Sequence, residues 1–512
     1  MKRYFYLWHR YLGIAACAVV FVWSVSGFLH PLMSWTQPRP AKMMLPPTPL
    51  KAERLGIAPA EALTRNGLQR IRDFNVVSFD GQSYYQVKTA DEAPLVYLNT
   101  RDGGLLANGD ERYAIWLARQ YLQEFDAPVM GVALVRDFDH EYKIINKLLP
   151  VYRVQFGRAD GMRAYVDTST GLLGTLNNNF KGRLLWLFSN LHNWDWLSFS
   201  DTARIAALVT FTIATMAMAI SGLLVYGFFW RSFKPVTEKT RTTRNWLKQY
   251  HRRLGVTVSA TMLLWSISAA YHAIEKPAIR EEAKTRYAPQ EFSPSDAAIS
   301  LSQLLVSAPN QKPVTNISMV RVDGKPVYQI FRADRSVAYF DANSGAAMDG
   351  VDERYAREIA NSFSGLKDAQ IVSVKTISQF DQEYGFINKR LPVSRVEYND
   401  ANRTRYYVEP AAGVLSLKLG NRKRLESYSF NFLHKWHFLD WAGKKTRDVI
   451  MMIFVLLQAV VAGSGLWMFV LWKGAAGNRV SGKKTVTVNP APPIATPIGS
   501  ASAMSEAGHG KG

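Results

Sequence analysis

The chain has 512 residues, 48% of them hydrophobic, and a formal net charge of +21. The charge gathers beside four long uncharged runs, a distribution that argues against a nucleic-acid-binding face and fits a membrane protein. A single cysteine, Cys17, excludes a disulfide within the chain.

The uncharged runs cover residues 12–29, 205–230, 254–271 and 449–472, each long enough to cross a bilayer as a helix. Aromatic residues crowd the ends at 226–230 and 467–472, as in an interfacial belt. Lys2, Arg3 and Arg10 stand at the first run. Eight basic residues and one acid fill 231–253, and five basic residues and one acid follow Trp472. Together these segments hold +14 of the +21. Basic residues in alternate connections put both termini and the middle connection in the cytoplasm and the two long connections outside.

In chain order, residues 1–35 form the first span. A lipoprotein-like box ends at Cys17, but the apolar run continues beyond it, so the span reads as uncleaved and Cys17 as packing. Prolines from Pro31 to Pro49 mark an extended linker. Residues 36–181 form an outside domain of two helix-then-sheet units. Its helical patterns cover 59–70 and 110–125, and its alternating strand patterns include 83–88, 94–99 and 163–167. Residues 182–230 hold GRLLWLFSNLHNWDWL, expected as an interfacial helix lying on the membrane, and the second span, capped by Ser200 or Asp201. Residues 231–253 form a basic cytoplasmic loop.

The plan then repeats. Residues 254–275 form the third span, 276–423 a second outside domain with two units, and 424–472 an interfacial helix with the fourth span. Residues 473–512 form a cytoplasmic tail, rich in Pro, Ala, Gly and Ser beyond Lys484 and expected to be disordered. YLWHRYLGIAACAVVFVWSVSGFLH at 6–30 returns as QYHRRLGVTVSATMLLWSISAAYH at 249–272. Asp110-Glu111-Arg112-Tyr113 returns as Asp352-Glu353-Arg354-Tyr355, and the FDxEYxxINKxLPVxRV stretch occurs at 138–154 and 380–396. The offset is 242, becoming 243 in the last span, where Ser221-Gly222-Leu223 matches Ser464-Gly465-Leu466. The expected architecture is a membrane α-helical protein with four transmembrane helices. It is a tandem duplication of a two-span unit with α+β domains outside, its halves related by an axis along the membrane normal. The repeated stretch reads first as packing between domain and membrane, and second as a docking surface.

Six of the nine histidines form duplicated pairs: His9 with His251, His30 with His272, and His192 with His434. Singly, each has a plain reading as an interfacial anchor, a helix cap or part of an amphipathic surface. Together, all six fall at the two expected membrane faces. From His9 to His30 is 21 residues, about 32 Å on a helix and nearly six turns, so both rings share one face. This pattern suits b-type haem with two imidazole ligands at each leaflet. Zinc is poorly matched, because the uncharged runs contain no acid and only Cys17 as a thiol. At the inner face only His9 and His251 are available, so a haem there bridges the halves. At the outer face His30, His192, His272 and His434 hold one haem or two. Arg10, Arg252 and Arg253 are placed to pair with propionates, or serve topology alone. No Gly-rich phosphate loop and no flavin or nicotinamide site is evident, so electrons must come from a separate donor.

The WHRYLG…SGFLH opening, the LHNW and LHKW stretches and the helix-plus-sheet modules resemble the PepSY-associated transmembrane helix family, to about residue 475. PepSY-like units fall at 58–106, 111–175, 295–348 and 353–418. The resemblance implies a bacterial inner-membrane protein with periplasmic PepSY domains. It also implies haem b, one to three per chain, held by His9, His30, His192, His251, His272 and His434. The implied function is electron transfer from a cytoplasmic or quinol donor to a periplasmic acceptor, such as a ferric siderophore. The flavoprotein reductase domain fused to some members is missing here. A non-enzymatic reading stands beside it, because the PepSY name also attaches to protease-regulating domains. In that reading the outer modules bind a periplasmic protein or peptide and the spans anchor them in lipid.

Overall fold

The computed structural model describes residues 2–90, 94–284, 291–307 and 312–481. The tail predicted to be disordered beyond Lys484 lies outside these residues.

The chain opens with α1 (Lys2–Thr36). There follow α2 (Pro59–Arg65), β1 (Ile71–Phe79), β2 (Gln82–Thr89), β3 (Val96–Asn99), α3 (Gly109–Leu122), β4 (Val129–Val135), β5 (Val151–Phe156), β6 (Arg163–Asp167) and β7 (Leu172–Asn177). Two helices, α4 (Asn179–Leu191) and α5 (Asp201–Phe229), close this half. The order returns in α6 (Thr243–Lys284), α7 (Leu301–Ser307), β8 (Val314–Val322), β9 (Lys325–Arg332) and β10 (Val337–Asp341), with a short additional β11 (Ala347–Met348). The second half ends with α8 (Val351–Ser364), β12 (Ile371–Ile377), β13 (Val393–Tyr398), β14 (Arg405–Glu409), β15 (Val414–Leu419), α9 (Asn421–Ser429) and α10 (Lys444–Ser481).

Four helices are long and apolar enough to cross a membrane: Tyr4–Thr36, Asp201–Ser232, Thr243–Glu275 and Lys444–Val470. Helix α1 runs through Pro31, the first of the prolines assigned to the linker, and ends at Thr36, one residue past the expected span. A proline deletes one helix bond, here to the Gly27 carbonyl. Unwinding the chain among apolar neighbours would strip more backbone groups of partners. Helices α1 and α6 each pack on both α5 and α10, so the four close into one ring with α1 and α6 at opposite corners. The ring is filled by Ala16, Cys17, Val20, Met218, Ala219, Val258, Met262, Val461 and Ala462. Helix α5 begins where the Ser200 hydroxyl accepts from the Ala203 N–H. Just inside it, buried Arg204 is held by Asp195 at 3.2 Å and Asp201 at 2.5 Å. Arg447 does the same for α10 with Asp440 and Asp448.

Beyond the bundle, β4–β7 and β12–β15 form two four-stranded antiparallel meanders with identical strand order. Helices α3 and α8 each cover one of them. The remaining strands join as β11-β10-β9-β8-β1-β2-β3 in a single seven-stranded sheet. The four separate units expected from sequence are therefore three. The first unit of each half shares one sheet and one core, in which Phe74 and Tyr85 pack with Ile317 and Tyr328. The join is antiparallel and sets Asn75 opposite Ser318. Its backbone is stitched by side chains: Val76 N–H donates to Asn316 Oδ1 at 3.0 Å, and Asn316 Nδ2 to Asn75 Oδ1 at 3.1 Å. The flanking hairpins turn at Asp80-Gly81 and Asp323-Gly324, all four with positive φ, which is what a tight two-residue hairpin requires.

The repeated FDxEYxxINKxLPVxRV stretch is a packed turn. Asp139 Oδ1 accepts from the N–H groups of Glu141 and Tyr142, and Tyr142 stacks on Phe138 and Tyr165 and donates to the Leu148 carbonyl. Asp381, Tyr384, Phe380 and Tyr407 repeat this. Lys143, which Gly385 replaces in the second copy, reaches Asp195 at 3.0 Å and ties the first copy to the turn before α5. The two turns also touch each other, through Ile144–Asn146 and Phe386–Asn388.

Two outcomes follow from this architecture. Asn316→Ala removes both side-chain bonds at the sheet junction and is expected to cost about 1–2 kcal/mol. Thermal unfolding should show the loss, with faster amide exchange in β1 and β8 and none in β4–β7. The second concerns Lys181, which donates to Thr175 Oγ1 and the Leu176 carbonyl, and Lys389, which donates to the Gly174 carbonyl. Each ammonium is lowered to about 8, chiefly by burial, with neighbouring Lys181 and Arg390 contributing at Lys389. Between that value and 10.5 the unfolded chain holds more protons than the folded one. Stability contributed by these groups therefore rises with pH across that window, and Lys181→Met should flatten the slope in a pH series of unfolding midpoints.

Candidate functional site

The bundle brings His9 and His251 together. His9 on α1 and His251 on α6 face each other from opposite corners, with ring centres 6.3 Å apart. His9 Nδ1 lies 3.1 Å from the Met218 carbonyl and 3.3 Å from Ser221 Oγ. His251 Nδ1 lies 3.1 Å from the Val461 carbonyl and 3.0 Å from Ser464 Oγ. A carbonyl only accepts, so each Nδ1 carries the hydrogen and each Nε2 presents the basic lone pair.

The neighbouring helices are cut to admit these rings. Met218 and Val461 precede Gly222 and Gly465 by one helical turn, where a side chain would cover the carbonyl. A Cβ on Gly222 would sit 2.9 Å from His9 Cε1, and one on Gly465 3.5 Å from His251 Cε1 and 3.2 Å from Cys17 Sγ. The Ser-Gly pairs thus act twice each: serine and carbonyl orient the ring, and glycine makes room for it. Sequence comparison had aligned these pairs without giving them a role. Their signal was a small polar residue and a glycine side by side in a long apolar run.

A second pair forms from helices that the sequence reading laid on the membrane surface. In the first half α4 packs along α1, and His192 at its end meets Ser26 Oγ at 3.1 Å. Ser26 donates its own hydrogen to the Trp23 carbonyl, so it accepts from His192 Nδ1. Trp194 stacks on Trp23 at 5.5 Å. In the second half, α9 passes through a π-turn, Phe430–His434, and Trp436 stacks on Trp265 at 5.1 Å. Trp265 Nε1 donates to the His434 carbonyl. His192 and His434 then face each other at 6.5 Å. This pair is level with Trp23–Ser26 on α1. It lies about 26 Å from the His9–His251 pair along α1. The physical reason is the sharp turn at Trp194 and Trp436, both in the left-handed region, which lets each short helix dip in before the next span starts.

His30 and His272 do not join either pair. His30 lies against Phe188, itself stacked on His192, and His272 against Phe430, stacked on His434. His272 Nδ1 is 2.6 Å from Glu426, a buried carboxylate that the sequence reading had not placed beside a histidine. Of the arginines, Arg252 lies over the Phe233 ring at 4.1 Å, Arg253 is exposed, and Arg10 is half-buried beside His9 on α1.

Both pairs have the separation at which one metal ion binds two imidazoles. Two collinear metal–nitrogen bonds of about 2.0–2.1 Å, each extended by roughly 1.1 Å to the ring centre, span about 6.3 Å. Among the described residues no group of three or more His, Cys, Asp or Glu is arranged to hold a metal. Each pair therefore offers two ligands, and a metal held there takes its other donors from elsewhere. His434 Nδ1 is buried without a hydrogen-bond partner, a further polar atom that this set leaves unmatched.

Four candidate spans closed into one ring, carrying three antiparallel sheets, define an α-helical membrane protein with α+β extramembrane modules. The chain belongs to the PepSY-associated TM region family, which it matches over residues 6–318. The match ends within β8, short of the residue 475 to which the motifs extend the resemblance. No curated protein matches the chain.

Gly222→Ala is expected to destabilise more than Gly465→Ala, because the closer Cβ must push His9 off its carbonyl. Overpacking of this kind costs about 1–3 kcal/mol. Unfolding midpoints of the two variants in detergent check the order.

Proposed function

We propose that the protein is a b-type haem electron carrier of the bacterial inner membrane, passing electrons to a periplasmic acceptor such as a ferric siderophore. The observation that carries this reading is the two facing imidazole pairs, 6.3 and 6.5 Å apart, within an apolar helix ring. Two imidazole nitrogens without a further protein ligand would suit a haem, whose porphyrin would supply the remaining donors. The reading uses two haems per chain. His9 and His251 hold the inner one and His192 and His434 the outer one, with His30 and His272 as flanking residues. When bound, haem supplies a one-electron ferric–ferrous couple.

The chain's own residues fix the ligands. Donation from Nδ1 to a helix carbonyl locks each inner ring and raises the basicity of Nε2. The apolar ring excludes water, and Arg10, Arg252 and Arg253 supply positive charge at the inner end for propionates. The halves derive from tandem duplication of a two-span unit. The basic connections put both termini in the cytoplasm and the PepSY domains in the periplasm. Electrons enter from a separate cytoplasmic or quinol donor.

A dithionite-reduced minus oxidised spectrum of the purified protein tests this directly. A sharp low-spin b-type α band is expected, and its absence would leave the membrane-anchored binding module as the better reading. His9→Ala and His251→Ala should each remove the same half of the haem. His192→Ala and His434→Ala should remove the other half, while His30→Ala should keep both. Retention of the inner haem in only one of the first two variants would refute ligation across the halves.

A further inference from the structure

The three sheets enclose a cavity of about 900 Å³ outside the bundle, within the size range of small-molecule sites. Its wall comes from both halves: β1 and α3 of the first, β8 and β15 of the second, and both packed turns of the repeated stretch. Seven cationic and five acidic side chains line it.

The cations are not a by-product of the repeated fold. Aligning the hairpins through Asp80-Gly81 and Asp323-Gly324, Arg72 corresponds to Thr315, Lys88 to Phe331 and Arg321 to Ser78. In the meanders Arg136 corresponds to Ser378, Arg390 to Leu148 and Lys418 to Leu176. Six of the seven cations thus stand where the other half folds with an uncharged residue, and only Lys147 is matched, by Lys389. Fewer of the acids do so: of the five, Asp73 corresponds to Asn316 and Asp137 to Gln379. Asp110 and Asp167 return as Asp352 and Glu409 and have structural duties. Asp110 accepts from Tyr97 and the Leu95 N–H, Asp167 from Ser169 and Thr170, and Glu409 pairs with Arg390 at 2.5 Å. Burial raises the carboxyls of Asp73 and Asp110 above the ordinary range. Arg321 pairs with Asp296 at 3.0 Å and Arg390 with Glu409, so part of this charge is held within the wall, but the unmatched cations outnumber the unmatched acids six to two, a bias that favours an anionic ligand.

We propose that this cavity binds the periplasmic acceptor and selects a ferric chelate of net negative charge, coordinated by several carboxylates, over a cationic one. The choice of an iron chelate rests on the reading of the protein as an electron carrier; the charge preference rests on the cavity wall alone.

Isothermal titration of the full chain in detergent tests it, using ferric citrate, iron-free citrate and a cationic ferric trihydroxamate. Ferric citrate is expected to bind more tightly than the trihydroxamate, and more weakly as salt is raised. The double variant Arg136→Ser with Lys418→Leu installs the residues with which the other half folds, and should weaken ferric citrate at least tenfold. Lys51→Ser, at a surface ion pair, should leave it unchanged. Equal or tighter binding of the cationic chelate by the unmodified protein overturns the proposal without recourse to any variant. So does undiminished ferric citrate binding by a folded double variant. Tighter binding of iron-free citrate than of its ferric complex would make the cavity a site for plain polycarboxylates and overturn the chelate assignment. A normal haem spectrum with no citrate binding defeats this inference alone, whereas binding without a haem spectrum defeats the electron-carrier reading alone.

Discussion

A neutral imidazole placed among apolar helices has one N–H to satisfy and few oxygens to offer it to. In this bundle the requirement is met by helix carbonyls at Met218 and Val461, uncovered by the missing side chains of Gly222 and Gly465. That one hydrogen bond fixes the ring plane, the tautomer and the direction of Nε2. It also fixes how closely α1 approaches α5 and α6 approaches α10, because the ring lies where a larger residue would keep the helices apart. Ring closure of the bundle and the facing of His9 and His251 follow from the same contact.

The second organising fact is that counterparts meet counterparts. His9 faces His251, His192 faces His434, Asn75 pairs with Ser318, and the packed turns of the repeated stretch touch each other. Such self-complementary contacts are what a two-fold relation between similar halves produces. The departures from it are local. The first half ends its short helix on a plain α-turn with Ser26 under His192, whereas the second uses a π-turn and a tryptophan N–H on the His434 carbonyl. Glu426 beside His272 corresponds to Leu184, and six of the seven cavity cations have uncharged counterparts. Symmetry holds where the chain must pack on itself, and it lapses where the two halves jointly form something neither contains.

Much of this was legible in the sequence because it depends on short-range pattern. Uncharged runs of 18 residues or more determined the four spans, since backbone groups in a hydrocarbon core must be satisfied within the helix. The repeat at an offset of 242 determined that element order recurs and which histidines correspond. Strand alternation located β2, β3 and β6, which pair with strands that neighbour them in sequence.

What the sequence left open is what depends on contacts far apart in the chain. Whether α4 lies on the surface or dips beside α1 turns on left-handed backbone at Trp194 and a serine 166 residues away. The merging of two units into one seven-stranded sheet turns on β1 meeting β8, more than 200 residues later, and no local pattern records which strand edge is to be covered. The sequence by itself determined that six histidines come in three matched pairs within or near apolar helices. Only the tertiary structure decided which of them face each other, because the distance between two rings is set by packing across the bundle and not by spacing along it.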